Sequence, residues 1–568
     1  MIDYASHDAP IDALIWQHIS DSPCPEDFRC YLRHQPEGAV HLNEAIDRLI
    51  ALDDADAACA DDEARYPAAI AALEGLAQAG NAVAQFHMAK VNDNGIGIVV
   101  NRDRAEGWYR LAILQRETRS HVNLGNNLAN HDNPTQRAEA RRLLADAAAA
   151  GEGTATFALA RLSSSGHREN VGDPDPARAF EQFHEAWDQG CVVAGHWIGF
   201  MLLRGDGVRQ DEMLGREWIE RAAGAGCIGA ITQLGTDAEK GVKGKKDIPA
   251  AVAWFRKGAE ASDAECQHRL ASLLLDGKGI PKDGAQAVHW LKRAAVRGDA
   301  NAQRILGLTY LWGIDVIRNE RFGRKWLTRA AEQGDAHAAY HLGKVCQRTE
   351  PPELEVAAQW FERAAKAGHS EAQGALGLCY WFGRGVPADA HSAFKWIRLC
   401  SLQGDPWGLC LLGRLYWSGI DVPADYARAA LNFRLSAERG HPAGQAKLGW
   451  CYMNGEGVDR DVAEGMLWLT RAAEQGDAEA STTIGYVLRD GVGVERNAGE
   501  ASTWFLDAAE KGDARGQYEL AMLYAEGGGL KQDIGEARNW MEKSAAQGDE
   551  DAVKWMAAQD DKEKGEQQ

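Results

Sequence analysis

Residues 472–480 read AAEQGDAEA, residues 330–338 read AAEQGDAHA, and residues 545–553 read AAQGDEDAV. With the glycine of this phrase as a register mark, equivalent glycines stand at 80, 151, 190, 226, 298, 334, 368, 404, 440, 476, 512 and 548. Arg116 and Ser262 occupy two further slots. Most successive intervals are 36 residues, and none falls outside 34–39. A length of 568 residues alone would suggest roughly three or four globular domains, but a period this regular replaces that expectation with one long array.

One unit, residues 441–476, reads HPAGQAKLGWCYMNGEGVDRDVAEGMLWLTRAAEQG. Leu448, Gly449 and Tyr452 form a helical stripe in its first half. Met466, Trp468, Leu469, Ala472 and Ala473 form a second, with a 3.6-residue period. The small residues allow close helix approach, and Tyr452 and Trp468 supply apolar area. Between the stripes lies GEGVDRD, where Gly455 and Gly457 accept backbone angles other residues resist, and Asp461 is placed to cap the second helix. The same turn returns as GDGV at 205, GKGI at 277, GRGV at 383 and GVGV at 491. The repeated phrase is therefore a joint. Its Ala-Ala ends one helix, its glycine suits the left-handed position past that end, and the Asp, His or Asn that follows caps the next helix. An amphipathic helix pair cannot bury its face alone, so successive pairs must stack.

The pattern A-x-x-x-L-G-x-x-Y-x-x-G-x-G-V-x-x-D…A-x-x-W-L-x-x-A-A-x-x-G-D closely resembles the Sel-one-like repeat (SLR), a cousin of the tetratricopeptide repeat. Leu306-Gly307-Tyr310, Leu376-Gly377-Tyr380, Leu412-Gly413-Tyr416 and Leu448-Gly449-Tyr452 match its first helix. The second-helix tryptophan stands at 108, 218, 254, 290, 326, 360, 396, 468, 504 and 540. The resemblance spans roughly residues 85–549. Units ending at Gly151 and Gly190 lack that tryptophan and the usual turn, and the unit 335–368 carries RTEPPE where the glycine turn belongs. The expected fold is all-α: a right-handed α-solenoid of about thirteen stacked helix-turn-helix repeats of about 36 residues. Residues 1–60 are expected to form a non-repeat helical N-terminal cap, with helices in IDALIWQHIS and AVHLNEAIDRLIAL. The array then runs over 61–549, with weak units before about 190, and 550–568 form a capping helix with a charged, frayed tail.

A formal net charge of −21 disfavours nucleic acid and anionic lipid, both of which are bound through Lys and Arg. No apolar run approaches the roughly 18–20 residues of a membrane span. The N-terminus MIDYASHDAP has neither a basic nor an apolar leader region. The 11 cysteines are odd in number and recur at no fixed spacing, which suits a reducing compartment better than a disulfide scaffold. A soluble, cytoplasmic chain is expected. It carries no G-x-S-x-G elbow, no H-E-x-x-H and no phosphate loop. GVGVERNAG at 491–499 follows a helix and is one copy of the recurring turn, not a dinucleotide loop. His337 and His341 share a helix face with Cys346 beyond them, but no acidic ligand lies on that turn. No catalytic residue, metal site or cofactor is expected.

The resemblance implies adaptor work: a non-catalytic scaffold that binds a protein or peptide. An inhibitor or immunity partner of a toxin or secreted effector is the alternative. Some cysteine-rich relatives are associated with penicillin binding and β-lactam hydrolysis, but each of their repeats is stapled by a cysteine pair, which this chain lacks. If first helices line the concave face, as in related tetratricopeptide arrays, the groove positions lie five and two before the core Leu and two, five and six after it. Read off each unit, they give Trp312, Tyr340, Trp381, Phe382, Trp407, Arg414, Trp417, Trp450, Tyr486 and Tyr518 as a partner-binding aromatic stripe. Trp, Tyr and Arg most often carry binding energy at interfaces. The competing expectation is that these rings pack between neighbouring units and only stiffen the array.

Overall fold

The structure of this chain is a computed structural model that describes residues 4–34, 41–54, 66–131, 133–164, 174–242, 244–528 and 530–566. Among the described residues there are 31 helices and no strand. The first are α1 (Tyr4–Ile19), α2 (Pro25–His34), α3 (Leu42–Asp54), α4 (Tyr66–Gln78), α5 (Ala82–Asn94), α6 (Arg102–Leu114), α7 (Thr118–Ala129) and α8 (Pro134–Ala149). Then come α9 (Gly153–Ser163), α10 (Pro176–Asp188), α11 (Val192–Arg204), α12 (Glu212–Gly224), α13 (Ile228–Lys240), α14 (Ile248–Glu260), α15 (Ala264–Asp276) and α16 (Gly284–Val296). Next are α17 (Ala300–Trp312), α18 (Glu320–Glu332), α19 (Ala336–Cys346), α20 (Leu354–Lys366), α21 (Ser370–Phe382), α22 (Ala390–Leu402), α23 (Pro406–Ser418) and α24 (Tyr426–Glu438). The last are α25 (Pro442–Asn454), α26 (Val462–Glu474), α27 (Ala478–Asp490), α28 (Ala498–Glu510), α29 (Ala514–Glu526), α30 (Ile534–Ala546) and α31 (Glu550–Glu566).

Within the units the helices pair in chain order, α5 with α6 through α15 with α16 and α19 with α20 through α29 with α30, the repeat packing of an all-α solenoid. The expected joint chemistry is present. At the quoted phrase Gly476 has φ +94°, its N–H donates to Ala473 O at 2.9 Å, and the Asp477 N–H donates to Ala472 O at 3.0 Å. This closes α26 in a Schellman motif. Asp477 then accepts from the Ala480 N–H at 2.9 Å and starts α27. Arg116 and Ser262, in glycine slots, also take positive φ, at +64° and +63°. In the turn, Asp461 accepts from the Glu464 N–H at 3.0 Å. A Cβ on Gly457 would lie 1.9 Å from the Tyr426 carbonyl, so that glycine lets the turn touch the preceding pair.

In many pairs the two helices interlock through a glycine and a large side chain 18 to 20 residues later. A Cβ on Gly413 would lie 2.6 Å from Phe433, and one on Gly485 would lie 2.6 Å from Phe505. The same holds at 2.5 Å for Gly235 with Phe255 and for Gly343 with Phe361. These phenylalanines are buried. The preceding tryptophan is a wall instead: Trp254, Trp360, Trp468 and Trp540 are half-buried, each with a cation three residues on lying over its ring. Between pairs the link is glutamine. Gln373, Gln445 and Gln517 are buried and donate to the carbonyls of Ala365, Ala437 and Ala509 at the end of the preceding helix. Each also accepts from a second glutamine 30 residues on, Gln403, Gln475 and Gln547, at 2.9, 2.7 and 2.9 Å. The intervening first helices carry Leu409 and Ser481 at that position.

The chain divides into two compact units, residues 1–330 and 331–568. In the first, the apolar core of α1–α4 is continuous with that of the later helix pairs, from Ile219 to Trp326. Arg293 on α16 donates to Asp47 of α3 at 2.8 Å and also to Asn43, so the N-terminal helices fold onto the array. In the second unit, α19 has 11 residues where other first helices have 13, and RTEPPE forms the turn after it. The helix α31 continues to Glu566, further than the frayed tail expected from its charge, because Glu and Lys are good helix formers. Residues 1–3, 35–40 and 55–60 of the expected cap and the last two residues of the expected tail lie outside the described residues.

Among the described residues nine cysteines are free and buried. Burial pushes Cys379 and Cys410 up to about 11 and Cys266 and Cys451 up to about 12, which keeps these thiols protonated. Cys24 departs from the expectation of reduced thiols throughout, because it is disulfide-bonded.

Candidate functional site

In the second unit the first helices of successive pairs touch one another, α21 with α23, α23 with α25, and α27 with α29. Among the described residues, successive second helices are not brought into comparable contact. A row packed more closely than its partner row lies on the inside of the bend. That inner row carries the side chains that the repeat itself does not require.

Three first helices build a cleft there. Arg414 and Trp417 of α23, Lys447 and Trp450 of α25, and Glu479 of α27 line a space of about 340 Å³, with Phe433 behind and Ser418 at its edge. Trp417 is half-buried and packs edge-on to Tyr426 at 5.1 Å and against Phe433 at 6.3 Å. Trp450 is 45% exposed, too open for a residue whose task is packing. Lys447 donates to Glu479 at 2.6 Å across the rim. Both partners are solvent-accessible, so that pair is worth roughly 0–1 kcal/mol and yields easily to a ligand. Arg414 is exposed and has no ion pair among the described residues. It lies over the Trp381 ring at 5.4 Å, and Trp381 stacks face to face on Phe382 at 5.4 Å. Aromatic walls with a guanidinium, an ammonium and a carboxylate at the rim can take an apolar side chain and orient its peptide by charge.

The remaining stripe residues are placed elsewhere. Trp312 belongs to the first unit, at the end of α17, and is 58% exposed. Trp407 is half-buried over Gly374, whose Cβ would lie 2.5 Å from its ring. Tyr340 stacks on His369 at 4.9 Å and leans on Phe361. These two rings are engaged in packing between pairs. Tyr486 and Tyr518 belong to a polar clasp. The buried Glu519 accepts from the Tyr486 hydroxyl at 2.9 Å and from Arg489 at 2.6 Å, and ion-pairs with Arg515 at 3.3 Å. Arg515 also donates to the Tyr486 hydroxyl and to Asp551, and lies over the Tyr518 ring at 4.5 Å. The clasp ties α27, α29 and α31 together.

Sequence reasoning missed Lys447, Glu479 and Phe433 in the cleft. Glu479 stands five before the core Ile484, a groove position of the register, but a search for aromatics and arginines passes over an acid. Lys447 immediately precedes the core Leu448, outside that register, and no signal marks it. Among the described residues no group of three or more His, Cys, Asp and Glu could hold a metal ion. His337 pairs with His369 at 2.9 Å rather than acting with His341. No helix among the described residues is long and apolar enough to cross a membrane.

The model of the Sel1 repeat matches residues 82–116, 194–227, 229–263, 264–299, 300–335, 336–369, 370–405, 408–441, 442–477, 478–513 and 514–549. The unmatched stretch 117–193 still folds as helix pairs, α7 with α8 and α9 with α10. Among solved structures, the chain is similar to a protective antigen of uropathogenic Escherichia coli strains that displays an SLR fold. The two are 24% identical, the alignment covers 84% of this chain and 95% of that one, and the TM-score is 0.56. A Sel1 repeat protein from Oxalobacter formigenes is 28% identical over 63% of this chain and 92% of its own, with a TM-score of 0.34. An immunity protein from Pseudomonas aeruginosa is 19% identical over 37% of this chain and 81% of its own, with a TM-score of 0.31. Of these three, the antigen shares the fold.

Proposed function

This chain belongs to the Sel1 repeat family, and we propose that it is a non-catalytic adaptor that holds a protein or peptide partner against the inner row of the second unit. Sel1 repeat proteins generally mediate protein–protein interaction and are mostly non-catalytic scaffolds. The observation that carries the reading is the cleft formed by Arg414, Trp417, Lys447 and Trp450. These four side chains lie outside the leucine, glycine, phenylalanine and glutamine positions that build the repeat, and of the lining only Phe433 belongs to those positions. A partner segment with an apolar side chain enters between Trp417 and Trp450, and its charged groups meet Arg414 and the Lys447–Glu479 pair. The nine free thiols among the described residues favour a reducing, cytoplasmic setting for this work, and the disulfide-bonded Cys24 is the one observation against it.

The test is capture of partners by the wild-type chain beside an Arg414→Ala/Trp450→Ala double variant. Both side chains are exposed, so unfolding should be unchanged while at least one wild-type partner is lost about tenfold. Equal retention of every captured protein by both chains would sink the proposal.

A further inference from the structure

A second cleft lies within the first unit, where α2 faces the end of α16. It has a volume of about 490 Å³ and is lined by Glu26, Arg29, Leu32 and Arg33 from α2, and by Ala264, Val296, Arg297 and Gly298 from the array. Three arginines line it. Glu26 is the one carboxylate in the lining, 3.3 Å from Arg29 and 2.5 Å from Arg33. Arg297 donates to the Ser262 carbonyl and has no carboxylate within ion-pair distance among the described residues. Its neighbour one turn earlier, Arg293, is occupied by Asp47 and Asn43. Burial holds the Arg297 pKa below its usual range, with the Asp263 carboxylate opposing the shift and the Arg293 charge adding to it. In a chain of net charge −21 this cleft is a local excess of cation. Leu32, Val296 and Ala264 give it an apolar side.

The geometry points to a binding site for a small organic oxyanion, a phosphate or carboxylate on an apolar body. Its charged end bridges Arg33 of α2 and Arg297 of the array, and its body lies against Leu32 and Val296. Guanidiniums suit both anions, because their forked donors match two oxygens at once. The site is separate from the partner cleft. A ligand there would tie the N-terminal helices to the array beside the Arg293–Asp47 contact.

The test uses the full chain and calorimetry at constant ionic strength, with phenyl phosphate and 3-phenylpropionate in separate arms. Saturable binding in either arm, weakened at least tenfold in both Arg33→Gln and Arg297→Gln, is the expected result, and the stronger arm names the anion. Arg428→Gln, an exposed arginine of the second unit, should bind as wild type. If Arg297→Gln does not fold, Arg33→Gln decides alone, since that side chain is 54% exposed and can be lost without unfolding. Absence of saturable binding in both arms, or binding that Arg33→Gln leaves intact, overturns the inference.

Discussion

A methyl group added at Gly413 would sit 2.6 Å from the buried ring of Phe433, closer than carbon atoms approach. Gly413→Ala must therefore push α23 and α24 apart, at a cost of about 1–3 kcal/mol. Gly499→Ala is the control, because the only atom its Cβ would meet is Asn497 Oδ1, at an ordinary 3.7 Å. Urea unfolding of the two variants checks this, and equal midpoints would show that the glycine is not a packing requirement. Histidine acts at the same scale. His369 caps α21, its Nδ1 accepting from the Ala372 N–H at 3.3 Å and its Nε2 facing His337 Nδ1 at 2.9 Å. Burial, then the charges of His337 and His341, pushes its pKa down to about 4, against the pull of Asp335 and Asp405. Glu371 lies 3.7 Å away. The folded value is below that of the unfolded chain, so the unfolded state takes the proton first. The stability from this cap is whole above about pH 6.5 and is lost as pH falls from there toward about 4. His369→Asp should shrink the drop in unfolding midpoint between about pH 7.5 and about pH 5, because aspartate caps without needing to stay neutral. The same drop in both chains would refute the assignment.

A helix pair is held to the next by groups that a pattern search does not rank. Gln445 donates to the Ala437 carbonyl at 3.3 Å, out of water, and accepts from Gln475 at 2.7 Å nearer the surface. Gln445→Met keeps the volume and abandons both bonds, so about 1–3 kcal/mol should be lost. Hydrogen exchange should speed up in α24–α26, while Leu409→Met, at the same position of the preceding repeat, should leave exchange unchanged. Uniform exchange across the two variants would mean the glutamine pair is not a link. Helices, joints and caps were legible because each rests on local chemistry within a few residues: Gly476 ends a helix and Asp477 starts one. The burial order was not. The tryptophan of each pair is large and invites assignment to the core, yet Trp468 is half-buried under Arg471, and the buried bulk is the residue after it. Of the cleft, Arg414, Trp417 and Trp450 followed from register. Lys447 did not, because its place depends on Glu479, 32 residues later in the next repeat. Trp407 followed the same register rule, but its ring lies over Gly374, a contact between pairs that no single unit reveals.

At the scale of the molecule, the first unit is closed by a contact between residues 246 apart in sequence, Arg293 and Asp47. Arg293 is buried, but the Asp47 side chain is 65% exposed, so breaking the pair should cost on the order of 1 kcal/mol rather than unfold the unit. Arg293→Ala should raise amide exchange in α3 several-fold and leave α19–α31 untouched. Unchanged exchange in α3 would mean that the apolar core alone holds those helices. The second unit has another long rhythm. Gln373, Gln445 and Gln517 stand 72 residues apart, two repeats rather than one, with Leu409 and Ser481 in the places between. Each glutamine pair reaches only 30 residues forward, so it never spans more than one joint. Excising residues 405–476 would join Gly404 directly to Asp477, a junction the chain already writes at Gly476–Asp477. A repeat without the glutamine would still follow one that has it. Cutting out 36 residues breaks that alternation. The smallest segment that could be copied or lost by a gene without rewording its neighbours is thus a pair of repeats, and growth of this half of the chain by doubling would have proceeded in that step.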